Sequence, residues 1–179
     1  MNHIKNVLRC QKGEHIEICN SETSKNYLCE INKIEKEEIE CNILENLRSN
    51  VETDIKVTIF QGLPKADKME YIIQKSVELG AYDITPVEMK RCIVKLNEKD
   101  KEKKIQRWQK IAEVAAKQCK RDIIPKINNI TNVKLICNIK QNYDIILVAY
   151  EKEKERTLKS ELKKIKEYNQ KNIGIIIGP

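Results

Sequence analysis

The sequence predicts an α/β protein in which a small antiparallel β unit precedes a mainly parallel, helix-covered sheet. Three observations carry this. Apolar residues recur with period two before about residue 45, as in half-exposed antiparallel strands. The period then lengthens to that of helices alternating with short strands. Finally, residues 173–177 are apolar on both faces, which suits a parallel strand buried on both sides.

Residues 14–19 (EHIEIC), 27–34 (YLCEINKI) and 38–44 (EIECNIL) each alternate, with Gly13 and the 20–24 stretch as turn material. The boundary falls after residue 48, giving units 1–48 and 49–179. About 48 residues bury too little surface to be independently stable, so the first unit needs a neighbour or a further piece. In the second unit, 55–60 (IKVTIF) is a strand, and Gln61-Gly62-Leu63-Pro64 feeds a helix from about 66 to 79. Its stripe is Met69, Ile72, Ile73, Ser76, Val77 and Leu79, and Gly80 stands where a left-handed C-cap belongs. Short strands follow at 84–87 and, more weakly, 93–96. A second helix at about 101–120 turns Ile105, Trp108, Ile111, Ala112, Ala115, Ala116 and Cys119 inward. Residues 145–149 are a strand, 156–168 a charged helix with Leu158, Leu162 and Ile165 as its stripe, and 173–177 the last strand. With Gly178-Pro179 following that strand, and Val7 and Leu8 resembling the middle of an element, the chain is expected to be truncated at both ends.

Composition excludes several classes. The chain has 179 residues, 34% charged, with 4 Pro and 5 Gly, so collagen-like and mucin-like classes are excluded. No apolar run approaches the roughly 20 residues of a membrane-spanning helix, and the first dozen residues lack a signal-peptide pattern. A cytoplasmic protein is expected. Seven cysteines without a CxxC pair, and only two histidines, argue for reduced core thiols and against a metal site. The absence of GxxxxGK[ST] and GxGxxG argues against P-loop and dinucleotide enzymes. Charge is uneven: residues 1–50 carry 7 basic and 9 acidic side chains, whereas 89–126 carry 13 and 5. Such a field favours a polyanion, RNA above all.

Several segments, in order, resemble one bacterial family. QGLPKADKMEYIIQKSVELG (61–80) is similar to its helix-entrance segment, and Thr85-Pro86-Val87-Glu88-Met89-Lys90-Arg91-Cys92 to the stretch that follows. Arg107-Trp108, the Ala115 to Arg121 stretch, His3-Ile-Lys-Asn-Val-Leu-Arg9 and the closing Ile177-Gly178-Pro179 continue the likeness. The family methylates N3 of one uridine in 16S ribosomal RNA, with S-adenosylmethionine as donor. The resemblance implies a PUA-like RNA-binding β-barrel, incomplete here, and a SPOUT-type methyltransferase domain whose trefoil-knot-forming C-terminal segment would lie beyond Pro179. It also implies a homodimer acting on the small ribosomal subunit. With much of the cofactor wall expected beyond Pro179, the chain alone should bind cofactor poorly. Lys90, Cys92, Lys117 and Cys119 depart from the family's usual residues.

On this reading Arg91 and Arg121 are the catalytic candidates, since a cation stabilises charge developing on the uracil carbonyls once N3 loses its proton. Gly178 and Pro179 are assigned to the cofactor, and Arg9, Lys65, Lys68 and Gln118 to RNA. Trp108 is expected in the core and His3 in no chemical role. A non-catalytic RNA-binding module, or a SPOUT-class methyltransferase of different specificity, is the alternative, and a purely structural interaction protein the remaining one.

Overall fold

The computed structural model describes residues 3–20, 23, 25–47, 51–65, 67–94 and 96–179. Two compact units emerge, Met1–Glu52 and Thr53–Pro179. The expected boundary after residue 48 and the expected helix start at Ala66 lie outside the described residues, as does most of the 20–24 turn.

In the first unit a π-helical turn, His3–Val7, precedes three strands: β1 (His15–Asn20), β2 (Lys25–Ile34) and β3 (Ile39–Leu47). They form an antiparallel sheet in the order β1-β2-β3, as the alternation predicts. Cys29 and Ile31 of β2 are its buried apolar residues, which fits a middle strand with one covered face.

The second unit is a parallel sheet. Its elements are β4 (Lys56–Gly62), α1 (Lys68–Glu78), β5 (Asp83–Glu88), α2 (Glu98–Gln118), β6 (Lys126–Ile127), β7 (Thr131–Asn132), α3 (Val133–Asn138), a 3-10 turn, β8 (Ile145–Ala149), α4 (Leu158–Glu167) and β9 (Asn172–Ile177). The strand order is β6-β5-β4-β9-β8, with β7 also on β5, and every pairing is parallel. The β5 edge changes partner from β6 to β7 around Pro86, a residue with no N–H to give to a ladder. Apolar side chains of α1 and α2 meet Ile84 and Ile127 in one core cluster, and Phe60, Val87 and Ile136 form another, with the Tyr143 ring edge-on to Phe60 at 5.5 Å.

Three expectations need correction. Residues 93, 94 and 96 belong to no strand and lie between β5 and α2. Leu79 is 87% exposed, because it is the C-cap of α1 and its side chain has turned off the inward stripe of Met69, Ile73 and Val77. Only Ile165 of the α4 stripe is buried; Leu158 and Leu162 are exposed. The short elements β6, β7 and α3 give too few residues for any period to show.

All three long helices end alike. Gly80 (φ 92), Lys120 (φ 55) and Asn169 (φ 48) adopt the left-handed conformation just past α1, α2 and α4. Paired backbone bonds close each end: Gly80 N–H to Val77 O and Ala81 N–H to Ser76 O, Lys120 to Lys117 and Arg121 to Ala116, Asn169 to Lys166 and Gln170 to Ile165. This is the Schellman closure that satisfies orphan helix carbonyls. Gly80 was legible in the sequence; a lysine in that role was not, because L-residues resist positive φ.

Candidate active site

A parallel sheet binds ligands outside the carboxyl ends of its strands, where the strand order reverses. Here the chain leaves β4 toward β5 on one side, and β9 returns to β4 from the other side. The reversal therefore lies between β4 and β9. Their ladder runs from Lys56–Asn172 to Gln61–Ile177, and the next residues, Gly62 and Gly178, open the crevice.

Gly62 must be glycine here. A Cβ on it would lie 2.8 Å from Pro179 N, 3.0 Å from Gly178 C and 3.0 Å from Met89 Sδ, so the chain after β9 packs directly on the backbone end of β4. Gly178 differs, because a Cβ there would meet nothing within 4 Å. That open side is room for a ligand to approach backbone. Gln61, buried at 4% exposure, donates from Nε2 to Gly62 O and to Gly178 O, both at 2.9 Å.

The rim is basic. Lys65 and Lys68 are exposed in the β4–α1 loop and the first turn of α1. Arg91 is exposed in the turn after β5. The Cys92 thiol holds that turn, accepting from Met89 N–H at 3.3 Å and donating to Val87 O at 3.7 Å, while Cys92 N–H bonds Met89 O. Glu88, the carboxylate closest to Arg91 in sequence, is engaged by Lys101 at 3.3 Å. Beside this loop lies a small cavity of about 160 Å³ lined by Leu63, Pro64, Val94 and Trp108; Trp108 itself is core, 3% exposed, with Lys104 over its ring.

Arg121 and Gln118 are elsewhere. α2 runs from the carboxyl ends back to the amino ends, so both residues lie at the end opposite the crevice. The Arg121 guanidinium donates to Ala81 O at 2.7 Å and Val77 O at 3.1 Å, tying the close of α1 to the close of α2 and complementing the negative helix ends. Within one chain Arg121 and the Arg91 turn therefore lie at opposite ends of the sheet. Gln118 is exposed and lines a separate groove of about 420 Å³ with Gln74, Arg107, Lys110 and Val114, between α1 and α2 and away from the strand ends. Arg9 belongs to the first unit, exposed at φ 55, just past the π-helical turn.

The structure therefore brings Lys65, Lys68, Arg91, Gly178 and Pro179 to one rim and adds Gln61, Gly62 and Met89, to which the sequence reading gave no role. A polar Gln closing an apolar strand was the signal for the first. No group of three His, Cys, Asp or Glu side chains among the described residues could hold a metal, and none of the seven cysteines is in a disulfide.

Comparison with known families settles the class. An RNA methyltransferase domain profile matches residues 51–179, and an RNA methyltransferase PUA domain profile matches residues 1–44. The chain belongs to the RNA methyltransferase family. Within that family it is 40% identical over 151 residues, 84% of its length, to ribosomal RNA small subunit methyltransferase E of Bacillus subtilis, and spans 59% of that protein. A Buchnera aphidicola protein of the same name is 33% identical over 150 residues. Two solved relatives share the fold over 99% of this chain and 70% of theirs: a Legionella pneumophila methyltransferase in complex with the bound cofactor SAM (TM-score 0.80, 27% identity) and the Neisseria gonorrhoeae small subunit methyltransferase E bound to S-adenosyl methionine (TM-score 0.73, 25% identity). The small antiparallel sheet followed by a parallel α/β sheet is thus the family's arrangement. No helix among the described residues is long and apolar enough to cross a membrane.

Proposed function

We propose that this chain provides the RNA-binding and catalytic body of a cytoplasmic enzyme that methylates N3 of a uridine in 16S ribosomal RNA, with S-adenosylmethionine as cofactor. The observation that carries this is the β4–β9 crevice, where Gly62 packs on Gly178 and Pro179 at the strand reversal of an RNA methyltransferase domain. Relatives named as small subunit rRNA methyltransferases, and solved relatives holding the cofactor, supply the substrate class and the donor.

The residues fit that cofactor. Gly178 leaves its backbone open to a ligand, Gln61 fixes its carbonyl, and Pro179 packs against Gly62. The cofactor supplies an electrophilic methyl group; the protein's task is to bring an unpaired uracil edge to it, because N3 lies on the Watson–Crick edge and is protonated. Arg91, on the same rim and without a carboxylate partner among the described residues, suits a uracil carbonyl whose negative charge grows as N3 loses its proton. Lys65 and Lys68 suit flanking phosphates, and Arg9 a phosphate on the first unit. Contact of RNA with Gln118 would involve a second stretch of the polynucleotide, at the other end of the sheet. The enzyme is expected to work as a homodimer on the small subunit.

A non-catalytic RNA-binding module would use the same lysines but would have no need of a strand-end crevice. The test is incubation of the protein with labelled cofactor and small-subunit rRNA that lacks the modification, followed by nucleoside analysis. One N3-methyluridine per RNA is expected. Stoichiometric methylation of another atom would assign a different specificity, and binding without transfer would favour the module.

A further inference from the structure

We propose that Gln61 is the positioning residue of the crevice: its carboxamide takes over where the β4–β9 ladder stops and fixes the path of Gly178 and Pro179. The inference rests on the functional reading above and deepens it.

The ladder between β4 and β9 ends at the pair Gln61–Ile177. A further rung would join Gly62 to Gly178; no ladder pair forms there, although Gly178 and Pro179 stay packed against the backbone of Gly62. Both N–H bonds of Gln61 are spent on that gap, Nε2 lying 2.9 Å from Gly62 O and 2.9 Å from Gly178 O. The two acceptors belong to the ends of different strands. The orientation of the amide is set by chemistry, because only its nitrogen can face two carbonyl oxygens. Among the described residues, nothing donates to Oε1.

A carboxamide with 4% exposure costs stability unless its donors are satisfied. Core filling alone would be served as well by Met or Leu, which present no donor. What Gln61 adds is a fixed Gly178 carbonyl, and hence a fixed approach to the open side of Gly178. Gly62 completes the device by letting Pro179 pack where a side chain would otherwise stand.

The test uses Gln61→Met and Gln61→Glu in the whole protein, with cofactor titration by calorimetry and amide NMR of Gly178. Gln61→Met keeps length and removes both donors. Its α1 and α2 amide signals should match wild type, the Gly178 signal should shift and broaden, and cofactor affinity should fall about tenfold. Gln61→Glu adds a readout that packing alone would not move. As a carboxylate it offers only acceptors to two carbonyl oxygens, whereas protonated it regains one O–H donor. Burial raises its protonation range, so its affinity relative to wild type should be low at pH 8 and recover toward pH 5. Wild-type affinity and an unchanged Gly178 signal in Gln61→Met would overturn the proposal, as would a pH-independent deficit in Gln61→Glu. Should wild type itself bind no cofactor, the functional reading fails, while the Gly178 signal still decides whether Gln61 positions that segment.

Discussion

Replacing Gly62 by alanine tests whether the crevice is built as described. The new methyl would lie 2.8 Å from Pro179 N and 3.0 Å from Gly178 C, against 3.4 Å or more for an ordinary contact. Met89 Sδ, also at 3.0 Å, belongs to a flexible side chain and can swing away, but the two backbone atoms cannot. The segment after β9 must therefore shift by roughly half an ångström, the scale on which steric overlap is felt in a packed structure. Overpacking of this kind costs about 1–3 kcal/mol, offset by about 0.4–1 kcal/mol gained through the less flexible unfolded chain. The net stability loss should thus lie between about zero and about 2.6 kcal/mol, read from urea unfolding. Cofactor affinity should suffer more, because the displaced atoms line the crevice proposed to hold it. Gly178→Ala is the contrasting control: its methyl meets nothing within 4 Å in this chain, so stability should stay within about 0.5 kcal/mol of wild type while cofactor binding weakens. Gly62→Ala with wild-type cofactor affinity and an unchanged unfolding midpoint would refute the reasoning.

Other predictions follow from the same geometry. Arg121→Ala should lower stability by about 1.5–3 kcal/mol, since it removes charged hydrogen bonds to two carbonyls, whereas Arg91→Ala should leave the unfolding curve unchanged and weaken RNA binding in a salt-dependent manner. Equal stability of the two variants would contradict the assignment of separate roles. Lys120→Gly should stabilise by about 0.5–1 kcal/mol by relieving the positive φ past α2, a gain visible in thermal unfolding. Burial holds the Asp83 carboxyl above its ordinary range, and the neighbouring Thr58, Asn128 and Lys126 only partly oppose this. Its folded-state value is therefore raised, so stability is greatest in acid and is lost as pH rises through that value. Asp83→Asn should accordingly be more stable than wild type at neutral pH and lose the advantage below about pH 4, the ordinary carboxylate range.

Much of the fold was legible because its long elements carry strong periods. The alternation of 27–34 and the unbroken apolar run of 173–177 could each be satisfied in only one way, as a half-covered antiparallel strand and an inner parallel strand. Leu158 and Leu162 show where periodicity misleads, because spacing reports which residues share a face and not whether anything covers it. The site was legible in halves. Lys65, Arg91 and Gly178 follow strands directly, so strand direction alone puts them at one rim. Arg121 lies at the other end of the sheet from Arg91, since closeness to a basic stretch in sequence says nothing about which end of a helix faces the crevice. Gln61 and Gly62 escaped notice because their roles depend on residues more than a hundred positions away, a proximity that no local pattern encodes.

The central claim is that the cofactor is held where β4 and β9 part. Titration of the isotopically labelled protein with S-adenosylmethionine, followed by amide NMR, tests it most directly. The prediction is that Gly62, Met89 and Gly178 shift most, together with the Gln61 side-chain amide. Shifts confined to the close of α2 around Gln118 and Arg121, or to the groove between α1 and α2, would contradict it.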